Sequence, residues 1–127
     1  MLSNAQTAAT LAVSDIDRAS KFYSETLGFS IVKDSAGGGL FRSGEGSAFF
    51  VYPSEFAGTN KATAMSINVE DLEATAESLR EKGIAFIDYD QPGFKTENGI
   101  AHTPEGPAAW FEDPDGNILA LTQMPTG

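Results

Sequence analysis

Cysteine is absent from the 127 residues, which excludes disulfides, thiolate metal sites and a cysteine nucleophile. Histidine occurs once, at His102, so a metal site built on several imidazoles is excluded as well. No apolar run approaches the roughly 18 residues that a membrane span needs. The opening segment Met1-Leu2-Ser3-Asn4-Ala5-Gln6 has neither a basic n-region nor an apolar h-region. The expectation is a cytoplasmic protein with no signal peptide and no membrane span. Basic residues are few: eight Lys and Arg stand against eighteen Asp and Glu, a net charge of −10. That charge repels nucleic acid phosphate and anionic membrane surfaces, and favours cationic partners only as any solvated acidic surface does.

What is present starts with Trp110-Phe111-Glu112-Asp113-Pro114-Asp115-Gly116-Asn117-Ile118-Leu119-Ala120-Leu121. Asp-Pro-Asp-Gly reads as a type I turn, with φ preset at Pro114 and a positive φ open to Gly116. Apolar runs on both sides make it the turn of a β-hairpin. In the outgoing strand Ile118, Ala120 and Thr122 point one way, and Asn117, Leu119 and Leu121 the other. One face packs under a helix. The other lines something else.

The rest of the chain carries a repeat. Residues 7–13 read as a strand, Ser14-Asp15-Ile16-Asp17 as a helix start, and Ile16, Ala19, Phe22, Tyr23 and Leu27 as one buried stripe ending at Gly28. Strands follow at 29–32, 40–42 and 47–52. After a polar link at 56–61 the order begins again: a strand at 62–69, a helix from Glu70-Asp71 to Gly83, a strand at 84–89, a loop at 90–102, then the hairpin. Val13-Ser14-Asp15-Ile16 matches Val69-Glu70-Asp71-Leu72, and Gly28-Phe29 matches Gly83-Ile84 with one residue fewer in the second helix. This is a duplicated β-α-β-β-β unit. The expected fold is α+β: a single domain, 1–127, of two tandem βαβββ modules, module one at 7–55, a linker at 56–61 and module two at 62–124. Their mixed sheets are expected to curve around a shared concave cleft.

The Val-Ser-Asp-Ile-Asp-Arg-Ala-x-x-Phe-Tyr-x-x-x-Leu-Gly-Phe run, the repeat and the Phe-x-Asp-Pro-Asp-Gly-Asn hairpin together resemble the vicinal oxygen chelate superfamily. It contains glyoxalase I, extradiol dioxygenases, fosfomycin resistance enzymes and bleomycin resistance proteins. Its enzymes hold a divalent metal with side chains on four inner strand faces. The resemblance places those four positions at Ala8, Phe50, Ala64 and Ala120. A divalent ion needs N, O or S donors, and methyls and a phenyl ring offer none. No metal and no other cofactor is therefore expected.

By strand parity the same inner faces carry Thr10, Tyr52, Ser66 and Asn68 beside Phe50, with Trp110 assigned to them because it points opposite to Phe111. The long Gly-bearing loop Gln91–Ile100 reads as a lid whose Phe94 closes over a bound molecule, with His102 facing inward at its end. Apolar walls with a few directional polar groups describe a pocket for a flat, aromatic or cationic small molecule. The reading closest to this pattern is a metal-free binder that confers resistance by sequestering an antibiotic or toxic compound. It resembles the bleomycin resistance branch, which implies a homodimer with clefts at or near the subunit interface. The alternative is a metal-independent enzyme with His102, Tyr23, Tyr52 or Tyr89 as acid or base. A third is an interaction module whose cleft its own side chains fill.

Overall fold

Asp15 and Asp71, at matching places in the repeat, each begin a helix. Both are extended (φ −135° and −132°), and their carboxylates accept from Arg18 N and Ala74 N at 3.1 Å. Each thereby satisfies one of the orphan donors of a first helical turn. Ser14 is not the cap: its hydroxyl accepts from Arg18 Nη2 at 3.0 Å. The computed structural model that shows this describes residues 1–35, 37–44, 46–92 and 94–123.

Helix α1 (Ile16–Lys21) passes directly into a π-helical turn, Phe22–Thr26, whereas α2 (Leu72–Glu81) is α-helical throughout. Val13 to Gly28 spans one residue more than Val69 to Gly83. A π turn, closed here by Leu27 N on Phe22 O at 3.0 Å, is the geometry that absorbs one surplus residue without moving the flanking helix ends. Both helices stop at a glycine with positive φ, Gly28 at 85° and Gly83 at 93°.

The chain divides into two compact units, Met1–Ala57 and Gly58–Gly127. In the first, strands β1 (Ala9–Val13), β2 (Ser30–Ser35), β3 (Gly38–Ser43) and β4 (Ser47–Pro53) form a mixed sheet of order β1-β4-β3-β2. β1 runs parallel to β4, and β3 pairs antiparallel with β2 and β4. The buried face carries Leu11, Val13, Phe41, Phe49 and Val51. Tyr23 enters from the π turn and meets the rings of Phe41 and Phe49 at 5.9 and 5.3 Å.

In the second unit the sheet order is β5-β10-β9-β8-β7-β6. Its strands are β5 (Thr63–Val69), β6 (Asp90–Gln91), β7 (Phe94–Glu97), β8 (Ile100–Thr103), β9 (Gly106–Glu112) and β10 (Ile118–Gln123). β5 lies parallel to β10 as β1 does to β4, and β9 pairs antiparallel with β10 as β3 does with β4. α2 covers the face of Ala109, Phe111, Leu119 and Leu121 with Leu72, Ala76 and Leu79. The architecture is a mixed α+β fold of two sheets with few helices and no closed barrel. Among the described residues no helix is long and apolar enough to cross a membrane.

Two expectations for this unit are corrected. Residues 84–89 are not a strand: their links to the sheet include a bridge from Phe86 to Phe111, Ile87 N on Trp110 O at 2.8 Å, and the bonds of Tyr89 to Thr96. In place of the loop expected at 90–102 there are three short strands, Asp90–Gln91, Phe94–Glu97 and Ile100–Thr103, because β8 and β7 continue the sheet beyond β9.

The β9–β10 hairpin is closed by Asp113, a buried carboxylate. Its Oδ1 accepts from Asp115 N at 2.9 Å and Asn117 N at 2.8 Å, and its Oδ2 accepts from Asn117 Nδ2 at 2.8 Å. Gly116 N donates to Asp113 O at 3.0 Å, the i to i+3 bond of the expected turn. In Asp113→Ala the buried Asn117 donors lose their acceptor, and urea unfolding is expected to show a loss of about 3 kcal/mol. Asp113→Asn, which keeps one acceptor oxygen, is expected to lose about half of that.

Candidate ligand faces of the two sheets

Cross-strand partners share a face, so register assigns the faces directly. In the first unit Thr10 lies opposite Phe50 and Ala12 opposite Tyr52, while Leu40 flanks Phe50 from β3. Thr10, Phe50 and Tyr52 therefore share the face turned away from α1. Tyr52 is exposed and Phe50 is half-buried. The Phe50 ring lies along its own sheet over Gly38, where a Cβ would come within 2.5 Å of Phe50 Cζ. Ala8 is exposed and precedes β1 by one residue.

In the second unit one row across the sheet reads Ser66, Ala120, Trp110, and the next reads Asn68, Thr122, Ala108. Ser66, Asn68 and Trp110 thus share the face opposite α2. The Thr122 hydroxyl donates to Asn68 Oδ1, which turns the Asn68 NH2 group away from Thr122. A register shift between Ile118 and Leu119 sets Thr63, rather than Ala64, opposite Ile118. Thr63 consequently lies where its Oγ1 accepts the Trp110 indole N–H at 3.2 Å. Ala64, half-buried, has no partner on β10.

Trp110 sits in a cluster of three rings. Tyr89 meets it at 5.5 Å and 85°, Phe94 at 5.1 Å and 67°, and Tyr89 and Phe94 meet each other at 5.3 Å. All three rings are half-buried. Edge-to-face contacts of this kind hold a ring at a fixed angle and leave part of its π face uncovered. The indole N–H is already engaged with Thr63, so the group Trp110 presents is its ring.

Phe94 reaches Trp110 from β7, one strand of a hairpin. Asn98 and Gly99, both at positive φ (53° and 78°), form a two-residue turn between β7 and β8. Asp88 Oδ1 accepts from Gly99 N and from Thr96 Oγ1, each at 2.9 Å. Tyr89 N in turn donates to Thr96 Oγ1 at 2.8 Å, and Thr96 N to Tyr89 O at 2.9 Å. From α2, Arg80 donates to the Asn98 carbonyl and lies over the Phe86 ring at 5.1 Å. The Asn-Gly pair is the hairpin signal that the sequence carries at this place.

His102 stands apart from this cluster. From β8 it pairs with Pro107 of β9, on the face turned towards α2, in a groove of about 330 Å³ with Glu73, Glu77, Arg80 and Glu97. Tyr23 is enclosed in the core of the first unit. The donor chemistry does not fit the divalent ion that the resemblance implies. Ala120 has a hydroxyl at Ser66 and an indole at Trp110 as neighbours. Among the described residues no three of His, Asp and Glu come together as metal ligands.

Residues 5–121 match the family model described as the Glyoxalase/Bleomycin resistance protein/Dioxygenase superfamily. No curated protein matches the chain by sequence. Solved structures with the same fold include a bleomycin-binding protein from bleomycin-producing Streptomyces verticillus, complexed with copper(II)-bleomycin. It is 20% identical with a TM-score of 0.74, over 98% of this chain and 100% of that one. TnmS3, an antibiotic binding protein from Streptomyces sp. CB03234, is 23% identical with a TM-score of 0.63, over 96% and 98%. A lactoylglutathione lyase from Agrobacterium tumefaciens is 15% identical with a TM-score of 0.71, over 94% and 93%.

Trp110 is the one tryptophan in the chain, so its emission reports on the ring cluster alone. Phe94→Ala is expected to move that emission to longer wavelength and to lower stability by about 2 kcal/mol, the scale for a half-buried ring. Unchanged emission would show that Phe94 does not pack on Trp110.

Proposed function

The chain belongs to the Glyoxalase/Bleomycin resistance protein/Dioxygenase superfamily, and we propose that it is a metal-free binding protein that confers resistance by sequestering an aromatic or cationic antibiotic or toxic compound. The observation that carries this reading is the row Ser66, Ala120, Trp110. A methyl group stands where the resemblance implies a metal ligand, and a fixed aromatic ring stands beside it. Thr10, Phe50 and Tyr52 on one sheet, and Ser66, Asn68, Phe94 and Trp110 on the other, are the side chains proposed to meet the ligand. The rings supply stacking surface, and the hydroxyls and the Asn68 amide fix orientation. The net charge of −10 raises the local concentration of cationic compounds without selecting among them. The bleomycin-binding and antibiotic-binding proteins of the same fold support this reading by analogy. It carries with it a homodimer in the cytoplasm.

A metal-independent enzyme is the second reading, and the lactoylglutathione lyase of the same fold is what favours it. General acid or base work needs a group within hydrogen-bond reach of the substrate. On the faces described above, Tyr52 and Tyr89 are the side chains available for that role, since His102 lies towards α2 and Tyr23 in the core. His102 is for this reason the least supported of the side chains assigned to the ligand.

Titration of aromatic and cationic antibiotics against Trp110 fluorescence tests the proposal. Quenching with a Kd of about 1 μM or tighter is expected for at least one of them, unchanged by a metal chelator. The bound compound should be recovered unaltered, and Trp110→Leu should weaken binding about tenfold or more, as loss of a stacked ring does. A chemically altered product would favour the second reading. Absence of quenching across the panel would remove the first.

A further inference from the structure

We propose that Asn98–Gly99 is a site of spontaneous deamidation, guarded in the folded protein by Asp88 and Arg80, and that its conversion unfastens the hairpin holding Phe94 against Trp110. The inference is independent of what the sheet faces bind.

Asn98 is exposed and is the one asparagine of five in the chain that is followed by glycine. The Gly99 nitrogen is the least hindered backbone nucleophile available to an asparagine side chain. It attacks Asn98 Cγ, the Cγ–Nδ2 bond breaks, and ammonia leaves with the proton lost from Gly99 N. Water then opens the five-membered succinimide at either carbonyl. The product is aspartate or isoaspartate at position 98, so the sum is one amide hydrolysed by one water.

The fold demands this labile pair. Both turn positions need positive φ, which asparagine tolerates better than most side chains and glycine accepts freely. Position 99 admits nothing larger, since a Cβ there would lie 2.6 Å from Phe86 Cβ.

The same contacts that build the turn block the reaction. Gly99 N–H is engaged with Asp88 Oδ1 at 2.9 Å, and Arg80 holds the Asn98 carbonyl. Attack requires both to let go. Once formed, isoaspartate adds a methylene to the main chain of a two-residue turn. Glu97 and Ile100 can then no longer pair as they do, and aspartate adds a third carboxylate beside Glu97 and Asp88. Either product loosens β7 from β8. Phe94 lies four residues from the turn on β7, and Thr96 between them is bonded to both Asp88 and Tyr89.

The test is incubation of the purified full chain at mildly alkaline pH, with peptide mass spectrometry at position 98 and Trp110 emission followed together. Conversion in native buffer is expected to be about tenfold or more slower than in urea, the scale set by one hydrogen bond to a charged acceptor. Asp88→Ala, or Arg80→Gln should the first fail to fold, is expected to bring the native rate towards the unfolded one. Trp110 emission should shift with the rate constant of the mass change, and should stay constant in Asn98→Gly. Equal rates in buffer and urea would overturn the guard. Unchanged emission in fully converted protein would overturn the coupling to Phe94.

Discussion

The carboxylate of Asp113 is the constraint on which the second sheet depends. Three donors from Asp115 and Asn117 converge on it, and with those bonds in place β10 has one register against β9. That register sets Ala120 beside Trp110. The parallel pairing of β10 with β5 then sets Ser66 on the other side of Ala120, and the shift at Ile118 and Leu119 brings Thr63 within reach of the indole N–H. A slip of one residue at the hairpin would exchange the two faces. The ring cluster would then meet α2, and Leu119 and Leu121 would meet solvent.

A second constraint acts at the other end of the same sheet. Three of its strands have four residues or fewer, and strands that short have little ladder energy of their own. Side chains make up the difference. Asp88 ties the turn to Thr96, Thr96 ties β7 to Tyr89, and Arg80 ties the turn to α2. Order in the Tyr89, Phe94, Trp110 cluster thus rests on polar groups that do not touch the rings.

The parts of the fold that were legible in the sequence are those set by local chemistry. Asp-Pro-Asp-Gly announces its own turn, Asp15 and Asp71 announce helix starts, and alternation along 118–122 assigns the faces of β10. The surplus residue in the first helix was visible as a count, but a count does not say that a π turn will hold it. The misreadings fall where distant groups decide. Asn98–Gly99 is a local signal, yet the strands it joins are stabilised by Asp88 and Arg80, ten and eighteen residues away from Asn98. The facing of His102 depends on where β8 begins, which parity alone cannot give for a four-residue strand.

The claim at the centre of this account is that hydrocarbon stands at Ala8, Phe50, Ala64 and Ala120, the positions where the resemblance implies metal ligands, and that the proposed binding of a small molecule needs no ion. Elemental analysis of freshly purified protein, after equilibration with zinc, iron, manganese and nickel, tests it most directly. The account predicts a metal content far below one per chain for every one of these elements. One tightly held ion per chain would contradict it.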